Sequence, residues 1–213
     1  MFTHLQRHKR YSNLKWVACL LSCVISFSLQ ANPTILVLGD SLSSAHRIPL
    51  EKGWVTLLSN RLKTTHPNWH VLNHSQSGET TAGGRQRLPT LLKTHQPTVV
   101  ILELGGNDGL RGIPPFVIRQ NLDAMIRLSL SENAKVLLVG MKLPPNYSEK
   151  YIEQFEENYT HLSNKYDIPL VPFLLKEVAL KQELMQQDRI HPTAKAQPII
   201  LENVLPTLLP LLP

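Results

Sequence analysis

The sequence predicts one α/β domain: a three-layer α/β/α sandwich in which a parallel sheet of about five strands lies between two layers of helices. Three observations lead to this fold class. Short apolar runs alternate with longer amphipathic stretches along the chain. The apolar runs are continuous rather than alternating, which is typical of strands buried on both faces. Strands that alternate with helices form a parallel sheet, and right-handed crossovers cover both of its faces.

Each strand is predicted from a short apolar run, in most cases rich in Val, Ile or Leu. The five runs are "TILVLG" (34–39), "HVLNHS" (70–75), "TVVILELG" (98–105), "AKVLLVG" (134–140) and "IPLVPF" (168–173). Five segments of helical length lie between or after them, at 54–63, 85–93, 115–130, 149–166 and 193–205. We expect Pro206, Pro210 and Pro213 to end the last helix, because proline lacks the N–H that a helix needs.

Residues 1–31 have the layout of a secretory signal peptide. Four basic residues, Arg7, Lys9, Arg10 and Lys15, precede the uncharged run "WVACLLSCVISFSLQA" at 16–31. We expect cleavage after Ala31 and a mature domain over 32–213 that is periplasmic or secreted, without stable membrane insertion. The alternatives are a retained anchor, for which the run is shorter than the ~20 residues that span a bilayer, and a lipoprotein cut before Cys23.

Composition excludes several classes of function for the mature chain. The formal charge of +6 arises from 22 basic and 16 acidic residues, and loss of the four basic residues in the leader lowers it to +2. Without a basic stripe, a nucleic-acid partner is not expected. Both cysteines, Cys19 and Cys23, lie in the leader. The mature chain therefore has no disulfide and no thiolate metal site.

Polar sequences follow the first three predicted strands, where parallel α/β sheets bind ligands. They are "GDSL" at 39–42, "NHSQSGETT" with Gly78, and "GGNDG" at 105–109. A fourth sequence, "DRIHP" at 188–192, precedes the last predicted helix. Its Asp188 and His191 are close enough for the carboxylate to accept the imidazole Nδ1–H, and Pro192 favours an extended His191 on a loop. We expect the four segments to meet at one crevice.

These four blocks, in this order, resemble the SGNH (GDSL) hydrolases. The resemblance covers almost the whole mature chain and is greatest to the bacterial periplasmic thioesterase I/lysophospholipase L1/arylesterase group, through "GDSLS", "SGETT", "RLPTLL", "ELGGNDGLRG", "LPPNY" and "DRIHPTAKAQP". It implies the flavodoxin-like sheet order of that family. It also implies a lipid-metabolising serine hydrolase of acyl esters or thioesters that uses no cofactor.

The resemblance implies a role for each block. Ser41 would be the nucleophile, His191 the general base and then acid, and Asp188 the group that holds the histidine tautomer. The backbone N–H groups of Ser41 and Gly78 and the side-chain amide of Asn107 would form the oxyanion hole. A side chain at Gly78 would also crowd an N–H that must approach the substrate.

The segment after Asn107 predicts an apolar wall for the acyl chain. In the resembling group this loop covers the acyl chain, and "LPPNY" lines the other side of the crevice. The residues that we expect to contact substrate are Leu110, Ile113, Phe116 and Pro144. The alternative is an ordinary surface loop that leads into a helix.

Several polar residues have simpler interpretations. Asp40 is expected to orient its loop without a catalytic role, and Asp108 to stabilise a turn. Glu103 lies in a buried strand, where it needs a hydrogen bond or an ion pair. His66, His70 and His74 recur every four residues, but Pro67 argues against a helix there, and no metal site is predicted.

The predicted function is therefore a serine esterase acting on lysophospholipids, aryl esters or acyl thioesters, with a small-molecule acyl ester as its partner. One alternative is an O-deacetylase of carbohydrate or peptidoglycan that uses the same triad. Another is a catalytically inactive binding protein on this fold, because a fold does not dictate function. We expect a monomer.

Overall fold

A computed structural model describes Met1 and residues 32–212. The predicted signal peptide and its cleavage site therefore fall almost wholly outside the described residues. No helix within 32–212 is long and apolar enough to cross a membrane.

Five parallel strands form one sheet in the order β2-β1-β3-β4-β5. The strands are β1 (Thr34–Gly39), β2 (His70–Asn73), β3 (Val99–Glu103), β4 (Lys135–Val139) and β5 (Leu170–Val171). The predicted three-layer fold and its flavodoxin-like strand order are confirmed. Because β1 lies between β2 and β3, the chain reverses its direction of travel across the sheet there, and ligands bind beyond such a switch point.

Helices cover the two faces of the sheet. They are α1 (Trp54–Thr65), α2 (Thr81–His95), α3 (Gly106–Leu110), α4 (Pro115–Ser131), α5 (Glu149–Tyr166) and α6 (Gln197–Leu208). Helix α1 contacts α6, and α4 contacts both α2 and α5. All five residues of β3 are buried, as the continuous apolar run predicts. Stability therefore comes mainly from apolar packing between the sheet and its helices.

The last strand and the last helix differ from their predicted bounds. Strand β5 contains only two residues, because Pro169 and Pro172 flank it and neither has an N–H to donate. Helix α6 begins at Gln197 instead of 193, since the chain before it pairs with an earlier turn through the Thr193 N–H and the Leu184 carbonyl. It also continues through Pro206 to Leu208. The prediction that Pro206 ends this helix was wrong, because a proline so near the end removes only one hydrogen bond.

Helix α2 begins four residues earlier than predicted. The Thr80 side chain accepts a hydrogen bond from the Gly83 N–H and caps the first turn. Two glycines in that turn, Gly83 and Gly84, weaken the helical pattern in the sequence. The short helix α3 was not predicted, and it carries Asn107.

Candidate active site

Ser41 lies just beyond the carboxyl end of β1, in a tight turn. The Asp40 carbonyl accepts hydrogen bonds from the N–H groups of Ser43 and Ser44, which closes the turn. Ser41 is 9% exposed. The apolar strand thus ends in a turn that presents one hydroxyl at the edge of the sheet.

The structure brings Ser41, His191 and Asp188 together in a chain of hydrogen bonds. The Ser41 Oγ lies 2.9 Å from the His191 Nε2, and the His191 Nδ1 lies 2.9 Å from the Asp188 Oδ2. The first pair is 150 residues apart in sequence. A hydroxyl, an imidazole and a carboxylate in this order can remove the serine proton and stabilise the resulting imidazolium.

Asp188 and His191 lie in a turn over 186–192, here named the base loop, in which residues 187–190 are exposed. The Asp188 Oδ1 accepts both the Ile190 N–H and the His191 N–H at 3.0 Å, so one carboxylate organises the turn and orients the ring. The His191 carbonyl accepts the Gln186 N–H at 2.7 Å. Hydrogen bonds within the turn therefore help to orient His191.

Hydrogen bonds dominate the electrostatics of Asp188. Burial would raise the pKa of this carboxyl, but the backbone N–H and ring of His191, with the Ile190 N–H, hold the pKa well below its usual range. The carboxylate is therefore ionised throughout the neutral range. An ionised Asp188 favours the tautomer of His191 that presents a bare Nε2 to Ser41.

Of the three predicted oxyanion donors, Ser41 follows β1, Gly78 lies in the loop after β2, and Asn107 lies on α3. Gly78 has a φ of +80°, which other residues rarely adopt. A Cβ built on Gly78 would meet only the Arg111 guanidinium, at 3.9 Å. Backbone conformation, not protein crowding, therefore explains this glycine. The Arg111 Nη2 donates to the Gly78 carbonyl at 3.2 Å and links that loop to the end of α3.

Asn107 is oriented by Asp40. The Asn107 Nδ2 donates to the Asp40 Oδ2 at 2.9 Å, and the Asp40 Oδ1 accepts the Leu42 N–H at 3.0 Å. Asp40 was expected to orient its loop, and it does so through Leu42. Its hold on Asn107 was not predicted, because the two residues are 67 positions apart.

Beneath Ser41 lies a buried polar cluster, here named the carboxyl floor, which comprises Asp40, Ser43 and Glu103. The Glu103 Oε2 accepts the Ser43 hydroxyl at 2.5 Å and the Asp40 N–H at 3.1 Å. The expectation that Glu103 makes a structural hydrogen bond is confirmed. A Cβ on Gly39 would collide with Glu103 and Ser43, so the glycine of "GDSL" makes room for the floor.

Burial governs the titration of the carboxyl floor. It raises the pKa of Asp40 to about 6, although hydrogen bonds from Leu42 and Asn107 oppose the rise. Burial, followed by repulsion from Asp40, raises the pKa of Glu103 well above its usual range. Glu103 is 0% exposed. Burial therefore favours the uncharged form of both carboxyl groups.

The prediction that the Asp108 side chain stabilises a local turn was wrong. Its carboxylate accepts the Thr81 N–H at 2.9 Å and the Thr81 hydroxyl at 2.6 Å. Asp108 thus satisfies an N–H in the first turn of α2 and joins that helix to α3. This contact spans 27 residues, which no local pattern reveals.

The predicted acyl-chain residues fall into two groups. Leu110 and Ile113 are half-buried, and their carbonyls accept hydrogen bonds from the Tyr147 and Tyr151 hydroxyls at 2.8 and 2.7 Å. The structure therefore brings residues 110–113 against the "LPPNY" segment and the first turn of α5. Phe116 is 55% exposed, and Pro144 is also exposed.

The three histidines of 66–74 have separate partners. His66 lies beside the Thr65 hydroxyl, His70 beside the Asn32 amide, and the His74 ring packs against His95. Within 32–212, no group of three His, Cys, Asp or Glu residues could hold a metal ion.

A parallel α/β sheet with a Ser–His–Asp chain at its carboxyl edge defines the class of protein as a hydrolase. The GDSL-like Lipase/Acylhydrolase family model matches residues 37–198. The chain belongs to this family, and it is an ester or thioester hydrolase.

Relatives across nearly the whole chain agree with this assignment. The chain is 48% identical to Esterase TesA of Pseudomonas aeruginosa over 90% of its own length and 96% of that protein. It is 42% identical to the Thioesterase 1/protease 1/lysophospholipase L1 of Escherichia coli, over 90% of this chain and 91% of that one. A crystal structure of TesA superposes with a TM-score of 0.82 at 50% identity, covering 84% of this chain and 99% of the other.

Proposed function

We propose that this protein is a serine esterase that hydrolyses acyl esters and thioesters, of the lysophospholipid, aryl-ester or acyl-CoA type, through an acyl-serine intermediate on Ser41. The observation that carries the proposal is the hydrogen-bond chain from Ser41 through His191 to Asp188, with both links at 2.9 Å. A serine hydroxyl is a weak nucleophile unless a base lies within hydrogen-bond reach.

In the first step Ser41 attacks the substrate carbonyl. Its Oγ forms a bond to the carbonyl carbon, its proton moves to the His191 Nε2, and the carbonyl electrons move onto oxygen. When this intermediate collapses, the bond to the leaving alcohol or thiol breaks and His191 returns the proton to the leaving group. Water then repeats the sequence on the acyl-serine, which releases the acid and restores Ser41.

The oxyanion would be met by the N–H groups of Ser41 and Gly78 and by the Asn107 amide. Asp40 supports this role, because its carboxylate occupies one Asn107 N–H and so directs the other. One such donor is worth about 10²–10³ in kcat, because it acts on charge that appears only in the transition state.

We assign the acyl chain to the apolar segment after α3. Leu110 and Ile113 support this assignment, since tyrosine hydroxyls of the facing segment hold their backbone in place. Phe116 and Pro144 would extend the contact at the crevice mouth. The thioester and lysophospholipid parts of the proposal rest on the Escherichia coli relative, whose name includes thioesterase 1 and lysophospholipase L1.

The cellular setting is part of the same proposal. The basic residues followed by an uncharged run at 16–31 support export to the periplasm or the medium with loss of residues 1–31. We further propose that the mature enzyme is a monomer. Mass spectrometry of the exported protein would locate the new N-terminus, and analytical ultracentrifugation would give the mass in solution.

Ser41→Ala tests the function directly. We expect hydrolysis of p-nitrophenyl octanoate to fall by about 10⁴-fold or more, and a fluorophosphonate probe to label the wild-type protein but not the variant. Ser131→Ala changes an exposed serine on α4 and provides the matched control. Near-normal hydrolysis by Ser41→Ala, or no labelling of the wild type, would refute the proposal.

Acyl length separates this enzyme from an O-deacetylase with the same triad. If an apolar wall holds the acyl chain, kcat/KM for the octanoyl ester should exceed that for the acetyl ester by about tenfold or more, since each buried CH₂ contributes ≈ 0.8 kcal/mol. A preference for the acetyl ester would favour the deacetylase.

A further inference from the structure

A second histidine, His46, packs against the proposed base. The two ring centroids are 4.3 Å apart and the ring planes are inclined by 36°. Ser41 and Asp188 contact His191 at its two nitrogens, each at 2.9 Å. Such bonds fix where the ring sits but leave it free to tilt about the line that joins them. A ring against one face of His191 opposes this tilt.

His46 also reaches the loop that carries an oxyanion donor. Its Nδ1 lies 3.1 Å from the Ser77 Oγ, which lies 3.0 Å from the Ser44 Oγ. Ser77 immediately precedes Gly78. His46 therefore contacts the proposed base, His191, and is also hydrogen-bonded to Ser77, the neighbour of the proposed oxyanion donor Gly78.

The backbone on each side of His46 is strained. Ala45 and Arg47 have φ values of 58° and 55°, in the left-handed region that disfavours residues with a Cβ. Strain of this kind persists where surrounding contacts enforce it, and it concentrates at functional sites. Here two strained residues flank His46, whose ring packs against that of His191.

A single glutamine holds both histidine-bearing segments. The Gln186 Nε2 donates to the His46 carbonyl and to the Pro192 carbonyl, each at 3.0 Å. The loop after β1 and the base loop are thus tied by one amide, which fixes the spacing between the two rings.

The surroundings of His46 favour its uncharged form. Burial, then repulsion by His191 and Arg47, lowers the pKa of His46, and Asp188 opposes this shift. Ser77 and Gln186, which also contact the residue, do not titrate. An uncharged ring can remain against His191 when that ring becomes cationic, whereas a charged one would repel it.

We propose that His46 is a positioning residue for the reaction: its ring packs against His191 and holds the plane of that ring. This inference rests on the proposed function, because it requires His191 to act as the base. It adds a residue that lies outside the four sequence blocks.

Four variants test the inference by separating ring, charge and bulk. His46→Phe keeps a ring, His46→Leu keeps bulk without a ring, and His46→Lys introduces a permanent charge. His161→Lys places the same charge on the exposed face of α5 and is the matched control. Each is assayed with p-nitrophenyl octanoate for kcat, KM and the dependence of kcat/KM on pH, and thermal unfolding shows that each is folded.

His46→Phe should retain activity within about threefold. His46→Leu should lose about tenfold in kcat with little change in KM, as expected when only transition-state geometry suffers. His46→Lys should reduce the plateau of kcat/KM by about a hundredfold and move its acid limb to lower pH. Both effects have one cause, because a nearby positive charge disfavours the cationic form of His191. His161→Lys should match the wild type.

Wild-type kcat in His46→Leu, or an acid limb in a folded His46→Lys that coincides with the wild type, would overturn the inference. Should His46→Lys fail to fold, the comparison of Phe with Leu decides alone. Fluorophosphonate labelling of Ser41 in the wild type separates the two claims. If the probe labels the wild type but the His46 variants behave like the wild type, only the inference is refuted. If the probe does not label the wild type, the proposed function is refuted.

Discussion

The carboxyl floor and the base loop both present carboxylates to the candidate site, yet their environments are opposite. Asp40 and Glu103 are buried, and burial raises the pKa of each. Asp188 lies on an exposed turn, where three hydrogen bonds hold its pKa below the usual range. The same chemical group is thus destabilised as an anion in the floor and stabilised as one in the loop.

This difference separates two tasks. The base loop needs a permanent anion beside His191, and local hydrogen bonds supply it at little cost to the fold. The carboxyl floor supports the Ser41 turn and Asn107, and burial makes this support rigid at a cost in stability. We therefore expect changes in the base loop to alter the rate, and changes in the floor to alter stability and its pH dependence.

Asp188→Asn should have the largest effect on the rate. An amide at this position presents its NH₂ or a weaker acceptor to the His191 Nδ1, which favours the wrong tautomer, and kcat should fall by about 10⁴-fold. The Asn oxygen can still accept the Ile190 and His191 N–H groups, so the turn should persist. The midpoint of thermal unfolding should fall modestly at neutral pH, because the lowered pKa of Asp188 means that its charge stabilises the folded state. A large loss of thermal stability would show that the loop is more than a local structure.

Asn107→Ala tests the proposed oxyanion donor that Asp40 of the carboxyl floor orients. If Asn107 is an oxyanion donor as proposed, its loss should lower kcat by about 10²–10³ while KM changes little, since such a donor acts on the transition state. Asn164→Ala, on the exposed surface of α5, is the control. If KM rises while kcat is unchanged, Asn107 binds the ground state of the substrate instead.

Asp40→Asn should change the pH dependence of stability more than it changes the rate. In the folded protein the pKa is raised from 3.8 to about 6. As pH rises from about 4 to about 6, the unfolded chain ionises first, so the free energy of unfolding falls by about 3 kcal/mol through this group and is then constant. The variant should lack this decline.

Urea unfolding of both proteins at pH 4, 5, 6 and 7 measures the difference. We also expect kcat to fall by about tenfold. An amide at position 40 either turns its NH₂ towards the Asn107 NH₂, which breaks the hydrogen bond, or accepts a weaker bond than the carboxylate does. Parallel stability curves for the two proteins across this range would show that Asp40 does not titrate there.

Glu103→Gln should have the smallest effect on the rate, with kcat within about threefold of the wild type. The amide is isosteric with a neutral carboxyl and can still accept the Ser43 hydroxyl and the Asp40 N–H. Glu103→Leu removes the oxygen that accepts both hydrogen bonds and should lower the free energy of unfolding by about 2–4 kcal/mol. A hundredfold loss of kcat in Glu103→Gln would show that the floor takes part in the chemistry.

The sequence by itself determined the sheet, the helices of the two layers and the blocks that carry Ser41, Gly78, Asn107, Asp188 and His191. These follow from local information: continuous apolar runs mark buried strands, turn residues mark their ends, and the spacing in "DRIHP" sets the Asp–His pair. The hydrogen bond of Glu103 could also be expected, since a buried carboxylate needs a donor.

Only the tertiary structure decided which distant groups meet. The pairing of Asn107 with Asp40, of Asp108 with Thr81 and of His46 with His191 joins residues 27 to 145 positions apart. No periodicity in the sequence predicts such contacts, because they depend on how the loops pack once the strands are aligned. The strand pattern brings the loops to one edge of the sheet, and packing alone selects the atoms that touch there.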